Sequence, residues 1–141
     1  MVNDLFNLKG RVSIELNGQT VQKIDNLVVT AGKVFVASRM KDTTADAMTH
    51  MAVGTDSTAA AAGDTALGSE SARVTLTSTT ASSNTIIYVA TFPAGTGTAA
   101  LTEAGLLNAS SGGTMLCRTV FTAINKGAAD AMTITWTITV S

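Results

Sequence analysis

Met132-Thr133-Ile134-Thr135-Trp136-Thr137-Ile138-Thr139-Val140 puts large apolar side chains on its even positions and threonine on every odd one. Side chains of a strand alternate between faces, so this period of two builds one apolar wall and one hydroxyl face, and no helix does that. Nine residues at roughly 3.3 Å each give a strand about 30 Å long, which carries the only tryptophan of the chain. A segment so rich in β-formers, without charge or proline, invites aggregation at a sheet edge. It is therefore expected as an interior strand, with Trp136 in the core.

Working outward, further strands are expected over 73–80, 85–92, 100–107 and 114–121. Ser82-Ser83-Asn84, Pro93 to Gly97, Asn108 to Gly113 and Asn125 to Gly127 separate them with turn-forming residues. The second and fourth carry apolar groups on both faces, Ile86 beside Ile87 and Met115 beside Leu116, as strands interior to a sheet or covered by a partner do. Near the N-terminus Val12, Ile14 and Leu16 alternate with Arg11, Ser13 and Glu15, and Asn17-Gly18 supplies the positive φ angles of a tight hairpin turn. Two-residue hairpin register sets Leu16 opposite Gln19 and Ile14 opposite Val21. After the apolar run Leu27 to Val29, Thr30 can cap a helix over 31–40 with Ala31, Val34, Phe35 and Ser38 on one stripe. A short strand is expected over 48–53, followed by a surface loop of small residues over 54–63, after which Asp64 can cap one helical turn. About eight short strands with one helix predict an all-β chain, an antiparallel two-sheet sandwich of jelly-roll type.

The chain has 141 residues and suits a single domain. We assign 10–141 to a β-sandwich domain and 1–9 to an N-terminal arm, because Leu5, Phe6 and Leu8 are apolar yet lack alternation. Such an arm is expected to contact a neighbour. Charged residues make up only 13% of the chain, about half the usual share, and the net charge is -1. This leaves no basic field for nucleic acid or anionic lipid, so neither partner is expected. Sparse surface charge and doubly apolar strands predict self-association, most simply as a homodimer. A lone cysteine, Cys117, excludes an intrachain disulfide, and its apolar neighbours predict a buried, inert thiol. No apolar run is long enough to cross a membrane, and Asp4 precedes any hydrophobic stretch, so no Sec signal is expected.

Catalytic chemistry has little to use. His50 is the sole histidine and has no cysteine or carboxylate at ligand spacing, so a structural role on a strand edge is expected. Gly95-Thr96-Gly97 lacks the lysine and the following helix of a phosphate loop and is read as a turn. Asp42 with Asp46, or Asp56 with Asp64, could share a cation, although neither pair has calcium-loop spacing, and solvated acids are the plainer reading. Arg118 lies inside an apolar strand, where it either pairs with an acid or points into an interface. The threonine face of the last strand could bind ice or sugar, but a single ladder lacks the repetition of such surfaces. No catalytic residue, cofactor or metal is assigned, and the chain is expected not to be an enzyme.

Four stretches, Thr49-His50-Met51-Ala52-Val53-Gly54-Thr55, Gly63-Asp64-Thr65-Ala66-Leu67, Leu101-Thr102-Glu103-Ala104-Gly105-Leu106-Leu107-Asn108, and Asn125-Lys126-Gly127 leading into Thr133-Ile134-Thr135-Trp136-Thr137, resemble small virion proteins of tailed bacteriophages. Within that group the chain is most similar to the cement or decoration proteins of short-tailed phages. The resemblance implies a jelly-roll-like β-domain on the capsid exterior, assembled in the host cytoplasm and bound to a shell of HK97-type major capsid protein. Leu5, Phe6, Leu8 and Arg118 are then the candidate capsid or subunit contacts. The alternative is a tail- or fibre-associated structural or glycan-binding module, and a third class is a small hydrolase dependent on His50.

Overall fold

The computed structural model describes residues 7–41 and 46–141. Among these are nine strands and one helix: β1 Leu8–Leu16, β2 Gln19–Val28, α1 Thr30–Lys41, β3 His50–Gly54, β4 Glu70–Thr75, β5 Ser78–Ser82, β6 Thr85–Phe92, β7 Ala99–Leu107, β8 Met115–Lys126 and β9 Met132–Val140. All the strand pairs are antiparallel, in the order β4-β3-β7-β8-β2-β1-β9-β6-β5.

The expected alternation of β9 is present throughout. Met132, Ile134 and Trp136 are fully buried, while Thr133, Thr135, Thr137 and Thr139 are half-exposed. Both edges of β9 are paired, from Leu8↔Val140 to Leu16↔Met132 on β1 and from Thr85↔Thr139 to Phe92↔Met132 on β6. In the β1–β2 hairpin Asn17 and Gly18 take φ of 51° and 82°. Leu16 lies opposite Gln19, but the register then shifts between Ile14 and Glu15, so Ile14 meets Gln22 and Val21 is left exposed. The reason lies further along: the unshifted register would set Lys23 opposite buried Val12, whereas the shifted one puts Ile24 there.

The expected all-β chain with one short helix is present, and its nine strands join in one curled sheet because strands at the corners change partners. β2 follows β1 as far as Gly10↔Asn26 and then passes to β8 with Leu27↔Arg118 and Val28↔Cys117. The stretch expected as one strand over 73–80 divides at Leu76-Thr77. Its first part lies on β3 and its second on β6, at opposite ends of the strand order. Leu76 N donates to Thr49 O at 2.9 Å and Thr77 N to Val89 O at 2.7 Å, so the backbone stays satisfied through the change. The halves therefore face each other over one core, in which Val12, Ile14, Tyr88 and Trp136 meet Met51, Val53, Leu106 and Phe121.

A smaller cluster of Val29, Ala52, Leu67, Leu107 and Met115 lies apart from this core. There α1 sits on β8 by its first turn, where Gly32 is buried so close to Leu116 that a Cβ would fall 2.0 Å from its carbonyl oxygen. Beyond that turn the expected stripe is only partly covered: Val34 is 64% exposed, and Phe35 and Ser38 are half-buried. The glycine brings the first turn closest to the sheet, and further along Phe35 and Val36 pack against the main core.

Replacing Trp136 by Ala should cost about 3–5 kcal/mol in chemical denaturation, and Thr135→Ala less than about 1 kcal/mol. Trp136 Nε1 is buried without a hydrogen-bond partner. Trp136→Phe should therefore lose less than half of the alanine cost, since it also removes that unpaired donor.

Candidate functional site

Charged side chains inside apolar strands need partners, and Glu103 on β7 and Arg118 on β8 are both buried. Glu103 on β7 has no exposure and Arg118 on β8 has 2%. The register sets Gly105 opposite Arg118, and the two charges meet with Arg118 Nε 3.1 Å from Glu103 Oε1.

The pair holds the loop between β3 and β4. Glu103 Oε1 also accepts from Gly68 N at 2.9 Å, and Oε2 accepts from Ser69 N at 2.8 Å and Asp56 N at 3.0 Å. Arg118 Nη1 donates to Asp64 Oδ2 at 3.0 Å and Nη2 to the Thr58 carbonyl at 3.0 Å, with Asp56 Oδ2 3.6 Å from Nη2. Asp64 Oδ2 in turn accepts from Ala61 N at 2.9 Å. One carboxylate thus takes three loop amides and one guanidinium takes two loop acids and a carbonyl. The bonds are charge-assisted, and the one between Arg118 and Glu103 is buried, the setting in which they are strongest.

Glycines make the approach possible. A Cβ on Gly54 would lie 2.3 Å from Ser69 O and 2.5 Å from Glu103 Oε2, and one on Gly68 would lie 1.7 Å from Asp56 Oδ2. A Cβ on Gly105 would press on Leu67 Cδ2 at 3.0 Å. Leu67 is the apolar plug that the loop lays over Ala52, Leu107 and Met115. At the far end, Thr30 N at the start of α1 donates to Ala62 O at 2.8 Å.

Three of the stretches singled out in the sequence, Thr49 to Thr55, Gly63 to Leu67 and Leu101 to Asn108, meet here. Asp56 and Asp64, expected as solvated loop acids, both face the guanidinium of Arg118, at 3.6 and 3.0 Å. For Arg118 the reading as an outward contact is corrected, because its donors are turned into the domain. Leu8, expected in an arm, belongs to β1, as does Lys9, and Asn7 exchanges hydrogen bonds of 2.7 and 2.9 Å with Ser141. Leu8 also lines a groove of about 370 Å³ with Lys33, Val36, Ala37 and Met40. Leu5 and Phe6, and with them the rest of the expected arm, lie outside the described residues, as does Asp42. Sequence reasoning flagged Arg118 but missed Glu103 as its partner, since pairing across adjacent strands depends on their register.

Elsewhere the polar groups serve turns and edges. His50 contacts the Thr49 hydroxyl through Nδ1 at 2.8 Å and that of Thr75 through Nε2 at 3.5 Å, at the edge of β3. Cys117 is buried, and burial pushes its thiol well above the ordinary value. Among the described residues no group of three or more His, Cys, Asp or Glu could hold a metal ion, and no helix is long and apolar enough to cross a membrane. No protein-family model, curated protein or solved structure matches the chain.

Glu103→Ala and Arg118→Ala should each destabilise by roughly 3–5 kcal/mol, because either one strands a buried charge. The double variant should cost clearly less than their sum, as a denaturation cycle would show. Arg118→Lys should not restore stability, since one ammonium cannot reach Glu103, Asp64 and Thr58 O together.

The acid limb of stability has a definite sign. Hydrogen bonds from Thr58, then the charge of Arg118, hold the Asp56 carboxyl below its ordinary value of 3.8. Hydrogen bonds from Asn17 and Gly127 do the same for Asp130. Carboxyls lowered by folding contribute stability above their unfolded value and lose it as pH falls through the folded one. Thermal melts of the Asp56→Asn, Asp130→Asn double variant should therefore fall less steeply than wild type below about pH 4.

Proposed function

We propose that this chain is a virion structural protein that binds the outside of an assembled phage major-capsid shell and stabilises it, as a cement or decoration protein. The observation that carries the reading is the convergence at the Glu103–Arg118 clasp. Residues from three of the stretches that resemble phage virion proteins meet there, Glu103 and Asp64 by pairing with Arg118 and Gly54 by its close approach to Glu103, which supports a shared scaffold. Residues that fix a loop to a sheet do the work of a rigid binding body, and such a body needs no turnover.

Mass action supplies the mechanism. A domain that binds only the assembled shell stabilises that state by its binding free energy, and many modest contacts on one particle add to a large barrier against rupture. A preordered domain loses little conformational entropy on binding, so more of its contact energy appears as affinity. The partners on this reading are the capsid shell and further copies of the chain.

Mass spectrometry of purified capsids and of purified tails decides the location. The chain is expected in the capsid fraction, at a copy number matching the lattice, and capsids stripped of it should rupture at lower temperature and regain stability on adding it back. Recovery in tails alone would overturn the capsid reading in favour of a tail or fibre module.

A further inference from the structure

We propose that a second copy of this chain pairs with β5, edge to edge and antiparallel, about a two-fold axis at Thr80. The inference deepens the homo-oligomer part of the proposed function and is independent of its capsid part, which the fractionation above tests separately.

The two ends of the sheet differ in how they are protected. At one end, β4 carries Glu70 and Arg73, joined at 2.7 Å, and Arg73 also caps the carbonyls of Ala109 and Gly112 at 2.9 and 3.0 Å. Its pairing with β3 is interrupted by a register shift between Val53 and Gly54. Charge and irregularity are the usual guards against a further strand. β5, at the other end, has neither. Ser78, Thr79, Thr80, Ala81 and Ser82 are all exposed, they pair with β6 without a shift, and no charged residue occurs between Arg73 and Glu103.

Hairpin geometry says which backbone groups face outward. Ser83 and Asn84 form a two-residue turn, with Ser83 at φ 53°, that closes on Ser82↔Thr85. Counting back from that hydrogen-bonded pair, Thr80 bonds to β6, while Thr79 and Ala81 aim N–H and C=O at the open edge. A copy turned about Thr80 sets Thr79 against Ala81 and Ala81 against Thr79, satisfying all four groups twice over, and Ser78 against Ser82. Every opposed pair is small or β-branched, and no like charges meet. The second copy is the occupant because the edge complements itself. Five paired residues a side bury less than the roughly 1,200–2,000 Å² of a stable interface. The pairing is accordingly weak in dilute solution and strong where copies are already held close together.

Covalent capture tests this. At the axis the two Thr80 residues form a non-hydrogen-bonded pair, with Cα atoms about 4.5 Å apart and within disulfide range. The native Cys117 is buried and does not compete. In a thiol redox buffer, Thr80→Cys should form disulfide dimers at least tenfold faster than Ser71→Cys on β4. Adding Thr79→Pro, which removes an outward N–H only, should bring the rate down to that control at unchanged melting temperature. Should the proline lower the melting temperature, Thr79→Lys serves instead, keeping the amide and bringing like charges together across the axis. Equal rates for Thr80→Cys and Ser71→Cys would overturn the proposal. Concentration-dependent sedimentation that neither Thr79 variant alters would overturn the β5 edge while leaving self-association in place.

Discussion

The carboxylate of Glu103 is the point on which the outer side of this domain depends. It is wholly buried, and burying an unpaired carboxylate is prohibitive, so everything around it is arranged to supply donors. Gly68, Ser69 and Asp56 turn their amides toward it and Arg118 brings the compensating charge. Once this carboxylate is fixed, the loop must lie flat, Leu67 must enter the small core beside Leu107 and Met115, and the start of α1 gains the Ala62 carbonyl as a partner. A loop made almost entirely of Ala, Gly, Ser and Thr has little apolar area with which to hold itself down. Charge-assisted bonds in a shielded site replace the missing hydrophobic contact.

Closure of the sheet is a separate constraint, met by strands that change partners. A nine-stranded sheet that curls leaves two corners where neighbouring strands diverge. One corner uses β2, which passes from β1 to β8; the other uses the continuous segment Glu70–Ser82, which passes from β3 to β6. Side chains bridge where backbone pairing stops. Thr119 Oγ1 donates to Asp25 O at 3.0 Å and Gln22 Nε2 to Thr122 O at 2.5 Å along the open part of the β2–β8 corner. Because the clasp closes the outer face of β3, β7 and β8, these strands are buried on both sides, which explains apolar sequences that lack strict alternation.

This division also explains what could be read from the residues. β9 was legible because its alternation is local and its two faces have different neighbours. The β1–β2 turn was legible from Asn17-Gly18, but its register was not, since the rule for the turn competes with a penalty at Lys23 that appears only when Val12 is known to be buried. The break at Leu76-Thr77 carries no glycine or proline, and nothing in its composition marks a strand that changes partners. At the site, Arg118 stood out as a charge among apolar residues, whereas Asp56 and Asp64 read most plainly as solvated acids. Joining them required the register of β7 on β8 and the path of the loop, both set by tertiary packing.

Charge in this chain is placed with a consistent logic. With few charged residues available, several are consumed in holding backbone: Glu103 and Arg118 on the loop, Arg73 on the turn after β7, Asp130 on the turn before β9, and Lys126 on the Pro93 carbonyl at 3.0 Å. Each secures a segment whose small side chains give it little hydrophobic grip. The consequence is that from Val74 to Thr102, a segment containing β5 and β6, the surface has no charge with which to repel another sheet. A monomer built to remain apart would be expected to guard β5 as it guards β4. One edge is regular, polar and uncharged while the other is bulged and ion-paired, the difference on which the proposed pairing through β5 rests.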